Sequence, residues 1–277
     1  MSVLKPVIGK RPKLIGTDLD GTIVAHYGFI SERTKIAFTA AHEAGIHIYF
    51  VTGRPIRWMS EIKENFNFGT GICANGAMLY DFINQKVLEQ WLFSVENQLE
   101  TVKRLREVIP LVNFAVEIDE QFHREKDYLA RWDIGIDNVG VNKIEEVINK
   151  PALKMLARCG DASMSSDEMM SAATKALVGI ATVTHSNSTD SLLEISADGV
   201  SKGETLSKIA ARHGLTAEDC VTFGDNPNDF SMLQWAGRSY AMIDGHHAGP
   251  ANAKDVAPPH NQDGVAIVIE RLLELPK

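Results

Sequence analysis

Residues 14–22 read Leu14-Ile15-Gly16-Thr17-Asp18-Leu19-Asp20-Gly21-Thr22, a short apolar run that ends in two carboxylates one residue apart. Side chains alternate along a strand, so Asp18 and Asp20 point the same way as the strand frays into a loop. Two carboxylates are thereby brought to its carboxyl-terminal end, the edge at which open α/β sheets bind their ligands. Adjacent carboxylates repel. The pairing makes sense where a cation or a proton exchange is part of the work, with one group as nucleophile or ligand and the other as acid/base. Taken alone, the string also fits an ordinary Asp-Gly turn.

Three further places carry the same pattern. Residues 46–51 form a second apolar run that delivers Thr52, Gly53 and Arg54, and residues 221–223 form a third that leads into Gly224, Asp225, Asn226, Pro227, Asn228 and Asp229. Between them, Ser201, Lys202 and Gly203 open an amphipathic segment. The runs are too short, and too rich in Val, Ile and Phe, to favour helix. One strand-end site assembled from four segments is the expectation.

Residues 31–44 read as a helix with Ile36 and Phe38 among its apolar positions, closed by Gly45; residues 55–65 read as another, and 71–74 as a short strand. This βαβ alternation places the chain in the α/β class, with a parallel sheet and helices on both faces. From about Phe82 the rhythm changes to a helix over 95–108, strand-like segments at 114–124, 153–158 and 181–184, and a helix over 166–178. We expect residues 1–82 and 189–277 to form one core and residues 83–188 an inserted α+β domain. Such an insertion, joined by two short crossings, is expected to hinge.

In order and spacing, the four polar segments resemble the motifs of the haloacid dehalogenase superfamily of phosphohydrolases. The insertion resembles the large cap of its Cof-type branch, and further matches are CANGAMLY at 73–80 and EISADGVSKG at 194–203. The resemblance spans nearly the whole chain from Lys13 and implies a Rossmann-like core. It also implies roles: Asp18 as nucleophile, Asp20 as the acid that protonates the leaving alcohol and the base that activates water, and Thr52, Gly53 and Asn228 as grips on phosphoryl oxygens. Mg²⁺ would be held by Asp18, the backbone carbonyl of Asp20 and Asp225, with Asp229 behind them. Where the family usually continues its Ala-Met pair with Gly-Asn-Ala, Ala241 and Met242 are followed by Ile243, Asp244 and Gly245.

Lys202 has its own physical reading. A lysine in the first turn of a helix opposes the helix dipole, so its placement is best explained as a cation that offsets charge on Asp18 and on a transferring phosphoryl group. Arg54 reads as a structural or solvated arginine outside the catalytic set. Trp58, Trp91, Trp132 and Trp235 read as packing residues.

A formal net charge of -8 argues against nucleic acid or an anionic membrane as partner. Cys73, Cys159 and Cys220 form no paired framework, and no stretch of sequence is long and apolar enough to span a bilayer, so a reducing cytoplasm is the expected home. The expected activity is Mg²⁺-dependent hydrolysis of small phosphate monoesters, such as sugar phosphates or related metabolites, through an aspartyl-phosphate. A phosphomutase of the same superfamily and a non-catalytic phosphometabolite binder are the alternatives.

Overall fold

The computed structural model describes residues 6–25, 28–130 and 138–277. Trp132 lies outside them. Thirteen strands form among the described residues: β1 (Leu14–Thr17), β2 (His47–Val51), β3 (Thr70–Cys73), β4 (Met78–Asp81), β5 (Lys86–Gln90), β6 (Val112–Ile118), β7 (Gln121–Arg124), β8 (Lys154–Cys159), β9 (Ala181–Thr184), β10 (Leu192–Ala197), β11 (Cys220–Gly224), β12 (Arg238–Met242) and β13 (Asp255–Ala257). They divide between two compact units, Met1–Glu89 with Lys202–Lys277, and Gln90–Ser201.

In the first unit, β1 and β11 are buried at every position, as expected of parallel strands covered on both faces. The sheet order is β13-β12-β11-β1-β2-β3-β4-β5, parallel from β13 to β3, with β4 antiparallel to β3. The chain runs outward from β1 to β2 on one side and from β11 to β12 on the other. A crevice at the carboxyl ends of β1 and β11 is therefore the switch point at which such sheets bind ligands. Both motif aspartates, Asp18 and Asp225, follow directly on these two strands.

Helix Glu32–Glu43 is capped by Ser31, whose Oγ accepts from the Thr34 amide, and is followed by Gly45 in the left-handed region at φ 83°. It buries Thr34, Ala37, Phe38 and Ala41, a stripe that leaves Ile36 62% exposed rather than in the core. The helix expected over 55–65 is broken. Pro55 is extended, Ile56–Trp58 is a 3₁₀ turn, and the α-helix is Ser60–Asn65. Trp58 on that turn is 39% exposed, with the Arg57 guanidinium 5.4 Å from its ring centroid.

The second unit is antiparallel, in the order β7-β6-β8-β10-β9. Alternation sends Phe114, Val116, Met155, Ala157, Leu193 and Ile195 to one face, where they pack with Val102 and Leu105 of helix Val95–Val108 and Met169 and Ala173 of helix Ser166–Ala176. The other face carries Glu117, Lys154, Arg158 and Glu194 beside Ala115, Leu156 and Leu192. These pairings move the domain boundaries. Strand β10, expected to reopen the core near Glu194, hydrogen-bonds between β8 and β9, so the crossings lie at 89/90 and 201/202 rather than 82 and 188. The sequence cue was misleading because β10 is a buried apolar run of the kind that also builds the core sheet. No helix among the described residues is long and apolar enough to cross a membrane.

Candidate active site

The loop after β1 begins with Asp18, whose amide donates to the Phe223 carbonyl at 2.9 Å, so that strands β1 and β11 stay in register into their loops. Asp18 is 5% exposed. Lys202, the first residue of helix Lys202–Arg212 and fully buried, places Nζ 2.5 Å from Asp18 Oδ1 and 2.5 Å from Asp229 Oδ1. Burial alone would lower the lysine pKa, but the two carboxylates outweigh it and hold the ammonium charged.

Asp229 accepts three hydrogen bonds from its neighbours, one of them from Lys202. Its Oδ2 accepts from the amides of Asp225 (2.8 Å) and Asn226 (3.0 Å), fixing the loop that presents Asp225. Asp225 is 8% exposed and is held by the Asn226 side-chain amide at 2.6 Å and the Thr22 hydroxyl at 3.5 Å. Oxygen atoms of Asp18, Asp225 and Asp229 all lie within 4.8 Å of one another. Burial first, then the charge of Asp229, raises the Asp18 pKa to about 7; burial, then Asp18 and Asp229, raises Asp225 well above the carboxylate range.

The backbone permits this crowding because side chains are missing at several places, Gly21 and Gly203 among them. Gly21 has φ 77°, and a Cβ there would collide with the Asp225 carboxylate. A Cβ on Gly203 would strike the Ser231 backbone, which lies against the helix that carries Lys202.

Asp20 has a different environment from Asp18, although the two are one residue apart. Its side chain is 61% exposed and is gripped bidentately by Arg54, with Nε to Oδ2 at 2.8 Å and Nη2 to Oδ1 at 2.5 Å. Arg54 is anchored in turn by Glu61 Oε2 at 2.9 Å and the Trp58 carbonyl at 3.3 Å. Arg54 is thus the residue that sequence reasoning set aside; its adjacency to Thr52 and Gly53 was the available signal.

Thr52 is buried. Its Oγ accepts from the Arg54 amide at 3.0 Å, which closes a tight turn rather than capping a long helix. The Thr52 carbonyl accepts from the amide of Asn75, whose left-handed backbone (φ 56°) turns its side chain to accept from Asn228 Nδ2 at 3.1 Å. Asn75 therefore ties the second and fourth motif segments together. Asn228 Oδ1 is buried with no partner among the described residues, and its Nδ2 carries a second hydrogen for another acceptor. Beyond β12, the loop that departs from the family pattern lies against Asp225, with the His246 amide donating to the Asp225 carbonyl at 2.7 Å.

Asp18, Asp20, Thr52, Gly53, Lys202, Asp225 and Asn228 all belong to the first unit. With all three carboxylates ionised, the buried set of three carboxylates and one ammonium would carry two excess negative charges, which one divalent cation would balance; without a cation, mutual repulsion and burial favour a proton on Asp18 and Asp225 instead. An all-oxygen carboxylate set suits a hard cation such as Mg²⁺.

Comparison with known proteins agrees with the fold and with the family resemblance. The model of the haloacid dehalogenase-like hydrolase family matches residues 15–269. Among curated relatives, the 5-amino-6-(5-phospho-D-ribitylamino)uracil phosphatase YitU of Bacillus subtilis (strain 168) is 26% identical, with 96% of this chain and 99% of the relative aligned. Pyridoxal phosphate phosphatase YbhA of Escherichia coli (strain K12) is also 26% identical, over 92% of this chain and 96% of its own. The crystal structure of SMU.1108c from Streptococcus mutans UA159 superposes with a TM-score of 0.78 at 21% identity, covering 95% of this chain and 99% of that one. The subclass IIB sugar phosphatase BT4131 gives 0.74 at 22%, covering 93% and 98%. With 255 of its residues inside the family model, the chain belongs to the haloacid dehalogenase-like hydrolases.

Proposed function

We propose that this protein is a Mg²⁺-dependent phosphatase that hydrolyses small phosphate monoesters through a phosphoryl group carried on Asp18. The observation that supports it most is the buried Asp18–Lys202–Asp229 chain beside Asp225, three carboxylates crowded round one ammonium at the sheet's switch point. Asp18, Asp225 and the backbone carbonyl of Asp20 would hold Mg²⁺, which when bound would neutralise charge on the phosphoryl oxygens. Lys202 keeps Asp18 oriented and partly offsets the burial and the Asp229 charge that favour its proton.

Lys202 occupies Asp18 Oδ1, which leaves Oδ2 to attack phosphorus. The phosphorus–ester oxygen bond breaks, and the departing oxygen takes a proton from Asp20. In the second half, Asp20 removes a proton from water as the water oxygen attacks phosphorus and the bond to Asp18 breaks. Thr52, Gly53 and the spare Asn228 N–H supply hydrogen bonds to the phosphoryl oxygens. Arg54 binds the Asp20 carboxylate most strongly when it is charged, so Asp20 must loosen that fork to carry a proton. Residues 90–201 would act as a cap that reads the alcohol half of the ester.

Phosphate release from p-nitrophenyl phosphate, with Mg²⁺ and with chelator, tests the proposal. Mg²⁺-dependent turnover by the unmodified protein and its loss in Asp18→Asn are expected. Equal rates in chelator and Mg²⁺ would refute the metal role, and equal rates in Asp18→Asn would refute the nucleophile.

A further inference from the structure

The core sheet has a second populated edge. A cavity of about 630 Å³ lies at the amino-terminal ends of the strands, lined by Lys13 before β1, Ile46 before β2, Asp219 before β11 and Arg238 at the start of β12. That volume falls in the range of small-molecule sites. Five residues of extended chain separate Lys13 from Asp18, roughly 16 Å, so an occupant here stays clear of the reacting atoms.

Its lining mixes apolar and cationic residues with the acidic Glu218 and Asp219. Ile8, Pro12, Ala44 and Ile46 supply apolar surface, and Lys10, Arg11, Lys13 and Arg238 supply charge. Of the two acidic side chains present, Asp219 is already engaged by Lys13 Nζ at 2.8 Å and by the Thr216 amide and hydroxyl at 3.0 Å each. Among the described acidic side chains of the lining, the Glu218 carboxylate remains to face Lys10, Arg11, Arg238 and Lys277, with the Lys277 carboxyl group beside it. A surplus of positive charge is thus gathered in one cavity of a protein whose formal net charge is -8.

Both arginines have unused donors. Arg11 donates through Nη2 to the Leu273 carbonyl, yet its Nε is shut from solvent without an acceptor among the described residues. Arg238 donates through Nη2 to the Lys10 carbonyl at 2.7 Å, and its Nη1 is orphaned in the same way. Burial lowers the Arg238 pKa, as expected of a guanidinium short of counter-charge. Those two nitrogens are closed to water and so to an occupant of the cavity; what an anion would meet there is the guanidinium charge, which lacks a full set of counter-charges.

We infer that this cavity is a second ligand site, distinct from the catalytic carboxylates, that binds a small organic anion: one phosphate-like or carboxylate group on an apolar body. Arg11, Arg238 and Lys10 bind the anionic group, while Ile8, Pro12, Ala44 and Ile46 cover the body. The inference does not depend on the phosphatase reading.

Fluorescence titration of the full chain with 8-anilinonaphthalene-1-sulfonate tests it, with neutral N-phenyl-1-naphthylamine as the uncharged counterpart. The sulfonate is expected to bind, and Arg238→Gln to weaken it about tenfold or more, in keeping with the loss of a charge-assisted bond. Lys10→Gln, at an exposed position that does not support the fold, is expected to weaken it several-fold and carries the test if Arg238→Gln fails to fold. Binding of the neutral dye should be unchanged in both variants, as should turnover of p-nitrophenyl phosphate. Displacement by phenylphosphonate or by benzoate then tells a phosphate-like from a carboxylate ligand. Unchanged sulfonate binding in Lys10→Gln and in folded Arg238→Gln, equal weakening of both dyes, or displacement by neither acid would overturn the inference.

Discussion

Asp18 and Asp20 are one residue apart and chemically unlike, because one is buried against Lys202 and the other is solvent-exposed in the fork of Arg54. The sequence reading placed both at the strand end, but spacing alone carries no information on which neighbour each meets; Lys202 and Arg54 arrive from elements far along the chain. Removal of Arg54 should therefore act on placement. Arg54→Ala is expected to lower kcat by up to about 10²-fold while leaving the Mg²⁺ activation constant near normal, since the lost contact is to Asp20 and not to Asp18, Asp225 or Asp229. A kinetic Mg²⁺ titration checks it; a shifted activation constant with unchanged kcat would contradict it. Lys202→Ala should lower the rate without rescue by excess Mg²⁺. It should also cost about 3–5 kcal/mol of stability, because two buried carboxylates lose their shared counter-charge. Asp225→Ala, in contrast, should be partly rescued by excess Mg²⁺, and identical Mg²⁺ titrations for this variant and the unmodified protein would contradict a ligand role.

The loops after β1 and β11 act together as elements, because the Asp18 amide is bonded to Phe223 and Gly21 leaves room for Asp225. The electrostatics of these two loops make a signed prediction. With its folded pKa raised to about 7, Asp18 holds a proton in the native state that the unfolded chain releases near its ordinary value of 3.8. Its contribution to metal-free stability is therefore full below that ordinary value and is lost as pH rises through about 7. Mg²⁺ competes with that proton, so it should raise the thermal midpoint more at pH 8 than at pH 5.5. A larger shift at pH 5.5 would count against Asp18 as a ligand. Most strands and the helix Val95–Val108 were legible because short apolar runs and a 3.6-residue stripe are local signals. Residues 55–65 were not, since the helical pattern does not show that Pro55 stays extended and Met59 interrupts the turn.

Across the whole molecule, the two-unit organisation was legible from the change of rhythm, but its boundaries were not. Strand β10 reads like a core strand and belongs to the second sheet by its pairing with β8 and β9, a long-range choice that composition does not encode. The second unit has its own core of Phe114, Val116, Met155, Leu193 and Ile195 beneath two helices. Residues 90–201 expressed alone should unfold cooperatively on heating and lack phosphatase activity; a featureless melt would show that this core needs the rest of the chain. In the full chain, substitutions in this unit should change the ranking of phosphorylated substrates more than the rate on the smallest esters. The proposed function turns on one covalent event, and rapid acid quench of Asp20→Asn with ³²P-labelled p-nitrophenyl phosphate, whose leaving group departs without a proton from Asp20, and Mg²⁺ reads it most directly. Loss of the carboxylate proposed to activate water should slow the second half-reaction and leave hydroxylamine-labile label on the peptide that contains Asp18. No label on that peptide, together with near-normal turnover by Asp18→Asn, would contradict a phosphoryl group carried on Asp18.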